Sequence, residues 1–175
     1  MTSPPGRALR LRPLRDDDEA AYRHALEVMA AEGHVFGFGL EPGVAWSAYL
    51  RELDERRRGL NVPDGLVPAT FLVADVGGII VGRAQLRHEL NDFLEREGGH
   101  IGYCVLPGYR RRGHATEILR QSLTVIRATG VDRVLVCCDD ENAGSIAVIE
   151  SCGGVLDTVA TAPPTEPGTR RYWID

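Results

Sequence analysis

The chain alternates short β-prone runs with longer segments whose apolar residues recur at helical spacing. Seven runs are predicted to be strands: Ala8–Pro13, Ala69–Ala74, Ile79–Leu86, His100–Leu106, Val134–Cys138, Val155–Thr161 and Arg170–Ile174. Four segments are predicted to be helices: Asp16–Ala31, Trp46 to about Gly59, Gly113 to about Thr129, and Asn142 to the stop at Gly153-Gly154.

The order of these elements indicates a mixed α/β fold. One strand and two helices come first, followed by three antiparallel strands, of which two form a hairpin around the turn 75–78. The segment from His100 to Cys138 then predicts a strand–helix–strand unit, expected to be a right-handed parallel crossover. At 175 residues the chain predicts one domain, which we place at residues 7–175.

Composition places the chain among ordinary globular proteins, with 43% hydrophobic and 26% charged residues. No run has the apolar length of a membrane helix, and the first residues lack the core of a signal peptide, so a cytoplasmic location is expected. The four cysteines show no C-x-x-C spacing. They are expected to be buried reduced thiols, with no disulfide and no metal site.

Charge argues against one function class. All 20 basic residues are arginines, and 25 acidic residues give a net charge of −5. A general nucleic-acid-binding domain would carry a net basic surface, so the arginine clusters alone support that class poorly. We therefore expect neither nucleic acid nor membrane as a partner.

The segment from Gly99 to Leu123 carries the strongest functional signal. A β-prone run ends at Pro107-Gly108, three consecutive arginines (Arg110 to Arg112) lead to Gly113, and an amphipathic helix begins there. The first N–H groups of a helix lack acceptors and lie at the positive end of its dipole, so this turn predicts a cradle for a phosphate group. There is no lysine and no G-x-G-x-x-G after a strand, which excludes a P-loop and disfavours a dinucleotide site.

The motif R-x-x-G-x-A (Arg110, Gly113, Ala115), preceded by V-x-P (Val105, Pro107), resembles the pyrophosphate loop of the GNAT superfamily of N-acyltransferases. The element order is also similar along essentially the whole chain. The resemblance implies the GNAT fold, a mostly antiparallel central sheet whose fourth and fifth strands splay apart, with acetyl-coenzyme A in the opening. It assigns the following residues to coenzyme binding: Val105, Leu106, Arg110, Arg111, Arg112, Gly113, His114, Ala115, Thr116, Asn142 and Ser145.

Within that set, Val105 and Leu106 match the positions that hold the pantetheine arm and polarise the thioester carbonyl. Asn142 and Ser145 match an asparagine and its following helix, which flank the arm. Asn142 is also a good helix N-cap, and both roles are compatible in one residue.

Candidate catalytic residues are less defined. His100 has an unperturbed pKa suited to a general base, although a histidine entering a strand is often structural. Glu89 and His88 could lie at the mouth of an acceptor pocket, or in a solvated loop; these residues, with those around Gly98–Tyr103, resemble a bacterial GNAT subgroup. Many family members have, where this chain has Ile149, a tyrosine that acts as the general acid for the leaving thiolate. The identity of a general acid in this chain is therefore open.

The resulting hypothesis is an enzyme that transfers an acetyl group from acetyl-coenzyme A to a primary amine of a small molecule or peptide. The alternative is a coenzyme-binding module without catalysis, which the missing tyrosine favours. A homodimer that pairs an exposed terminal strand across a two-fold axis is a further expectation.

Overall fold

The structure, a computed structural model, describes residues 8–159 and 168–175. The strands are β1 Arg10–Arg12, β2 Ala69–Val76, β3 Ile79–Arg87, β4 Ile101–Val105, β5 Val134–Asp139, β6 Val155–Leu156 and β7 Thr169–Ile174. The helices are α1 Glu19–Ala31, α2 Trp46–Arg57, α3 His114–Arg127 and α4 Ala143–Ser151. Of the predicted segments, residue 7 and positions 160 and 161 lie outside the described residues.

The strands form two sheets. The first has the order β1-β2-β3-β4 with every pair antiparallel, and the second has the order β5-β7-β6. The prediction of three consecutive antiparallel strands is confirmed. The predicted strand–helix–strand unit is present as β4, α3 and β5, and β4 and β5 belong to different sheets, as the splayed strands implied by the resemblance require.

The first sheet buries both faces, one against α1 and α2 and the other against α3. On one face, α1 and α2 contribute an aromatic cluster of Tyr22, Phe36, Trp46, Tyr49 and Phe71, in which the hydroxyls of Tyr22 and Tyr49 lie 2.7 Å apart. On the other face, α3 packs Ile118, Leu119, Leu123 and Ile126 against β3 and β4, and this core continues into the second sheet. The period-2 alternation of β2 and β3 serves both cores.

The start of α1 differs in detail from the prediction. Asp16–Asp18 form a 3-10 turn before α1, and the buried Asp18 makes no side-chain cap on that helix. Its carboxylate instead accepts from the guanidinium of Arg12 at 2.6 and 2.9 Å, and Arg12 also donates to Asp75 at 2.8 Å. This ion triad joins β1, the α1 entry and the β2–β3 turn.

The two sheets touch at one end of β4. Gly99 (φ 63°) forms an isolated bridge with Val136, and a Cβ on Gly99 would lie 2.6 Å from the carbonyl oxygen of Leu135. Glycine is therefore required for the chains to approach this closely. Beyond this contact β4 pairs with β3 and β5 pairs with β7, so β4 and β5 present facing edges without a shared ladder in the described residues.

Two further features bear on the expectations. The last strand, β7, lies between β5 and β6, whereas the first strand, β1, is an edge of its sheet and keeps the expected pairing of a terminal strand open. Within the described part of the chain, none of the helices combines the length and apolarity needed to cross a bilayer.

Candidate active site

A groove of about 910 Å³ opens where β4 and β5 part. Its walls come from the end of α1 with the loop after it, from β3 and β4, from the turn before α3, and from α4. Most of its lining residues come from the β4–α3 segment and from the start of α4, the two regions that the sequence assigned to coenzyme binding. Of the predicted coenzyme set, the groove is lined by Val105, Arg110, Arg111, Gly113, His114, Ala115, Thr116, Asn142 and Ser145.

The turn before α3 has the geometry of an anion cradle. Gly113 is the N-cap of α3 with φ 80°, contributes no side-chain cap, and has no atom within 4 Å of the position its Cβ would take. Arg111 also has a left-handed backbone (φ 62°), which is uncommon for a side-chain-bearing residue and costs free energy. The first N–H groups of α3 thus open onto clear space at the positive end of the helix dipole.

The arginine side chains of this turn do not all face the groove. Arg110 donates from Nε to the carbonyl of Val105 at 3.1 Å and forms an ion pair with Glu32 at 2.6 Å, so it anchors the turn to the end of α1. Arg112 lies over the ring of Tyr109, with its guanidinium carbon 5.7 Å from the ring centre, and does not line the groove. The cradle therefore consists of backbone more than of guanidinium groups.

Val105 and Leu106 are separated by the pleat of the strand. Val105 lines the groove, whereas Leu106 is buried in the aromatic cluster, and its N–H donates to the carbonyl of Val81 at 2.8 Å. The side chain and the N–H of Leu106 thus have partners away from the groove.

The start of α4 forms the opposite wall. The side chain of Asn142 accepts from the N–H of Ser145 at 2.9 Å, which confirms the N-cap, and both residues also line the groove. Ile149 is completely buried in the core shared with α3 and the second sheet. Position 149 does not face the groove, so a general acid for the leaving thiolate has to be another residue.

His100 lies at the closed end, where the two sheets meet. The backbone N–H of His100 donates to the carbonyl of Leu135 at 2.7 Å, and the ring Nδ1 of His100 accepts from the backbone N–H of Leu135 at 2.9 Å. Burial, with a smaller contribution from the charge of Arg87, lowers the pKa of His100 to about 4. His100 does not line the groove, and this geometry favours the structural alternative over the base role.

His88 and Glu89 lie at the end of β3, beyond the closed end of the groove, and neither lines it. Nε2 of His88 pairs with the hydroxyl of Thr70 at 2.8 Å, and burial, reinforced by the charge of Arg57, lowers the pKa of His88. Glu89 is exposed. The structure does not bring these two residues together with the coenzyme set.

Several groove residues were missed by the sequence reasoning. The hydroxyl of Tyr103 is buried and has no hydrogen-bond partner among the described residues. Burial raises the pKa of Tyr103 to about 12, and the side chain of Ser145, which is close enough to interact although no well-aligned hydrogen bond joins the two, partly opposes the rise. Arg83, His34 and Val35 form another part of the wall beside Cys104. Side chains two positions apart in a strand share a face, so the assignment of Val105 to the coenzyme was the available signal for Tyr103.

Cysteines and metal ligands add little to the site. All four cysteines are free and half-buried, and burial raises the pKa values of Cys104 and Cys138. In residues 8–159 and 168–175 there is no group of three or more histidine, cysteine, aspartate or glutamate side chains arranged to hold a metal ion.

The two sheets part beside the N-terminus of α3, which has no side-chain cap. This arrangement can bind an elongated ligand between the strands with its phosphate groups at the helix N-terminus. Residues 8–155 match the family model of the Acetyltransferase (GNAT) domain. The chain belongs to the GNAT acetyltransferase family.

Solved structures share the fold at low sequence identity. RimJ of Mycobacterium smegmatis, solved with CoA-disulfide, is 21% identical, with a TM-score of 0.65 over 95% of this chain and 81% of that one. The GNAT domain of S. lividans PAT is 19% identical, with a TM-score of 0.63 over 95% and 90%. YncA of Salmonella typhimurium, solved with its cofactor acetyl-CoA, is 17% identical, with a TM-score of 0.62 over 95% and 93%.

Among curated proteins, no sequence matches the chain significantly.

Proposed function

We propose that this protein transfers an acetyl group from acetyl-coenzyme A to a primary amine. The observation that carries the proposal is the parting of β4 from β5 directly beside the open N-terminus of α3. Family membership supports acyl transfer as the reaction class, and the amine acceptor is inferred from the chemistry that the groove offers.

The described residues fit the coenzyme in two respects. The clear space over Gly113 lets phosphate oxygens approach the first N–H groups of α3 without meeting a side chain. The facing edges of β4 and β5 leave backbone donors and acceptors for the amides of a pantetheine arm, which can bind as an added strand does. When bound, acetyl-coenzyme A supplies an activated thioester carbonyl.

The chain must also handle protons. An amine attacks only in its neutral form, so a group in the groove has to accept a proton. Two imidazoles of the described residues line the groove: His114, which begins α3 in the phosphate cradle, and His34, on the loop after α1. We assign the base role to His34, because it lies away from the cradle and beside Arg83 and Cys104.

The departing thiolate is assigned a proton donor in Tyr103. Tyr103 lines the groove, and its buried hydroxyl has no well-aligned hydrogen bond to a described residue. Because burial raises the pKa of Tyr103 to about 12, the hydroxyl is protonated at neutral pH and can offer its proton as a hydrogen bond to the departing sulfur. Tyr103 would thus do the work that a tyrosine at position 149 cannot do in this fold. In this proposal the tyrosine that donates the proton is at position 103, and position 149, where the family pattern has it, is a buried isoleucine.

A non-catalytic coenzyme-binding module is the competing function, and it also fits the cradle. The two separate in one experiment on purified protein: calorimetric titration with acetyl-coenzyme A, followed by thiol release in the presence of a panel of primary amines. Amine-dependent thiol release supports the enzyme. Micromolar binding without release from any amine would assign the chain to the module.

A further inference from the structure

The groove wall beside Cys104 contains a buried cation. Arg83 is 8% exposed, and its guanidinium donates to the carbonyls of Phe36 (2.8 Å), Val35 (3.0 Å) and Gly102 (3.1 Å). These bonds engage three of its five N–H groups. A guanidinium buried among neutral carbonyls keeps its full positive charge, since arginine does not deprotonate in proteins.

A second guanidinium lies next to the first. Nη1 of Arg87 donates to the carbonyls of Gly98 (3.0 Å) and Gly99 (3.1 Å), and no hydrogen bond joins its Nη2 to a described residue. Burial lowers the pKa of Arg87 to about 10, and the like charges of Arg83 and Arg56 contribute to the decrease. Both arginines project from the same face of β3, separated by the neutral Gln85.

The described residues give Arg83 and Arg87 no ion-pair partner. Of the ion pairs formed in the described part of the chain, none includes Arg83 or Arg87. The protein as a whole carries a net charge of −5, so the concentration of unpaired positive charge here is a local arrangement. A buried guanidinium beside a half-buried one is costly without a carboxylate, unless a ligand neutralises them.

Gly102 leaves a space over both guanidiniums. It pairs with the buried Gln85 across the β3–β4 ladder and is itself partly exposed, like Tyr103 and Cys104 after it. A Cβ on Gly102 would lie 3.5 Å from Nη1 of Arg83, and 3.7 and 3.8 Å from Nη1 and Nη2 of Arg87. These are ordinary contact distances, so an added group fits there and meets both cations.

We infer that the space over Gly102, between Arg83 and Arg87, binds a carboxylate carried by one of the two substrates. Arg83 connects this space to the groove, because it lines the groove while its Nη1 lies over Gly102. The inference rests on the proposed acyl transfer and narrows its substrates. The carboxylate belongs either to an amine acceptor, as in an amino acid or a peptide, or to a dicarboxylic acyl group on the coenzyme.

The first test asks whether the site lacks an anion, without using turnover. Gly102→Asp places a carboxylate over the two guanidiniums, and Gly102→Asn places a neutral group of the same shape there. We expect the Asp variant to unfold about 2–4 °C above the Asn variant at pH 7 and low salt. Equal midpoints, or a lower midpoint for Asp, would overturn the inference.

The second test identifies the source of the carboxylate. In one arm, kcat/KM for acetyl transfer is compared between L-leucine and L-leucinamide, and between glycyl-L-leucine and its amide. In the other arm, acetyl-coenzyme A and succinyl-coenzyme A are compared with one uncharged amine. The inference is supported if kcat/KM is about tenfold or more higher for the carboxylate-bearing substrate in one arm and if Gly102→Asp loses this preference. Arg120→Gln, on the exposed face of α3, is the control and should retain it.

The two proposals fail differently. No preference for a carboxylate in either arm, with turnover present, overturns the inference and leaves acyl transfer intact. Absence of turnover with every amine and both acyl donors contradicts the proposed function, and the unfolding midpoints of Gly102→Asp and Gly102→Asn then decide the anion site alone.

Discussion

His100 and Leu135 exchange two hydrogen bonds: the N–H of His100 donates to the carbonyl of Leu135 at 2.7 Å, and the N–H of Leu135 donates to Nδ1 of His100 at 2.9 Å. This pair joins the two sheets at the closed end of the groove. Because Nδ1 accepts, the neutral ring carries its proton on Nε2. The imidazole thus takes the place of a backbone carbonyl as the acceptor for the N–H of Leu135, just before β4 begins at Ile101.

His100→Ala should destabilise the protein by about 1–3 kcal/mol at pH 7, because it leaves the buried N–H of Leu135 without its acceptor. Urea unfolding measures this change. The matched control is His24→Ala on the exposed face of α1, which should leave the midpoint almost unchanged. If His100→Ala instead lowers turnover while stability is retained, the structural role assigned here is wrong.

The same residue predicts a dependence of stability on pH. The pKa of His100 falls from 6.5 to about 4 on folding, so protonation favours the unfolded chain. Its contribution is complete above about pH 6.5 and is lost as the pH falls toward 4, by up to about 3 kcal/mol. Unfolding free energies measured between pH 7 and pH 4 should show a steeper decline for the wild type than for His100→Ala; parallel curves would contradict the assignment.

Gly113→Glu should abolish binding of acetyl-coenzyme A in a folded protein, since its carboxylate enters the space that the phosphates require. Gly130→Glu is the matched control: Gly130 has φ 94°, has no atom within 4 Å of the place a Cβ would occupy, and lies past the far end of α3. Both changes impose similar backbone strain and the same charge. Calorimetric titration should separate them, and equal affinities would rule out the cradle.

Tyr103→Phe should act on stability and function in opposite directions. Removing a buried hydroxyl that has no partner among the described residues should leave stability unchanged or raise it by up to about 1 kcal/mol. The same change should lower kcat for amine acetylation, because the thiolate loses its assigned proton donor. A kcat equal to that of the wild type across the pH range would clear Tyr103 of that role.

Arg12→Met should cost about 3 kcal/mol, because it leaves the carboxylates of Asp18 and Asp75 partly buried without their cation. Burial raises the pKa of Asp18, but hydrogen bonds from Arg12 and Arg15 outweigh it and hold the pKa below its usual value. A lowered carboxyl pKa stabilises the fold above about pH 4, and the contribution disappears as the pH falls further.

Urea unfolding at pH 7 and pH 3 should therefore show a smaller effect of Arg12→Met at the lower pH. Arg23→Met, which removes an exposed i,i+4 pair with Glu19, is the control and should change little at either pH. An Arg12→Met effect that does not vary with pH would place its origin in packing.

The features recovered from sequence are those encoded locally. The strand, turn and helix from Ile101 to Arg127 follow from periodicity and from the left-handed backbone that Gly113 supplies. The N-cap at Asn142 is equally local. These elements include most of the residues assigned to the coenzyme.

The features missed depend on contacts between distant residues. The position of His100 is one example: the chain turns at Gly99 and β4 begins only at Ile101, so His100 meets Leu135 of the second sheet and not the groove. Arg83 belongs to the wall through bonds to Val35 and Phe36, nearly fifty positions away. Such pairings depend on how the helices pack on the sheet, which no local pattern encodes.

The bonds from Arg83 to the carbonyls of Val35 and Phe36 have a consequence for how this scaffold can change over evolutionary time. They fix the loop after α1 through main-chain oxygens, so these bonds place no requirement on the side chain of the exposed Val35, whereas Phe36 remains tied to the aromatic cluster. The turn before α3, proposed to hold the phosphates, can stay constant while an exposed loop residue such as Val35 is exchanged. Selectivity for new nucleophiles could then arise by single substitutions, with the donor-binding half and the fold retained.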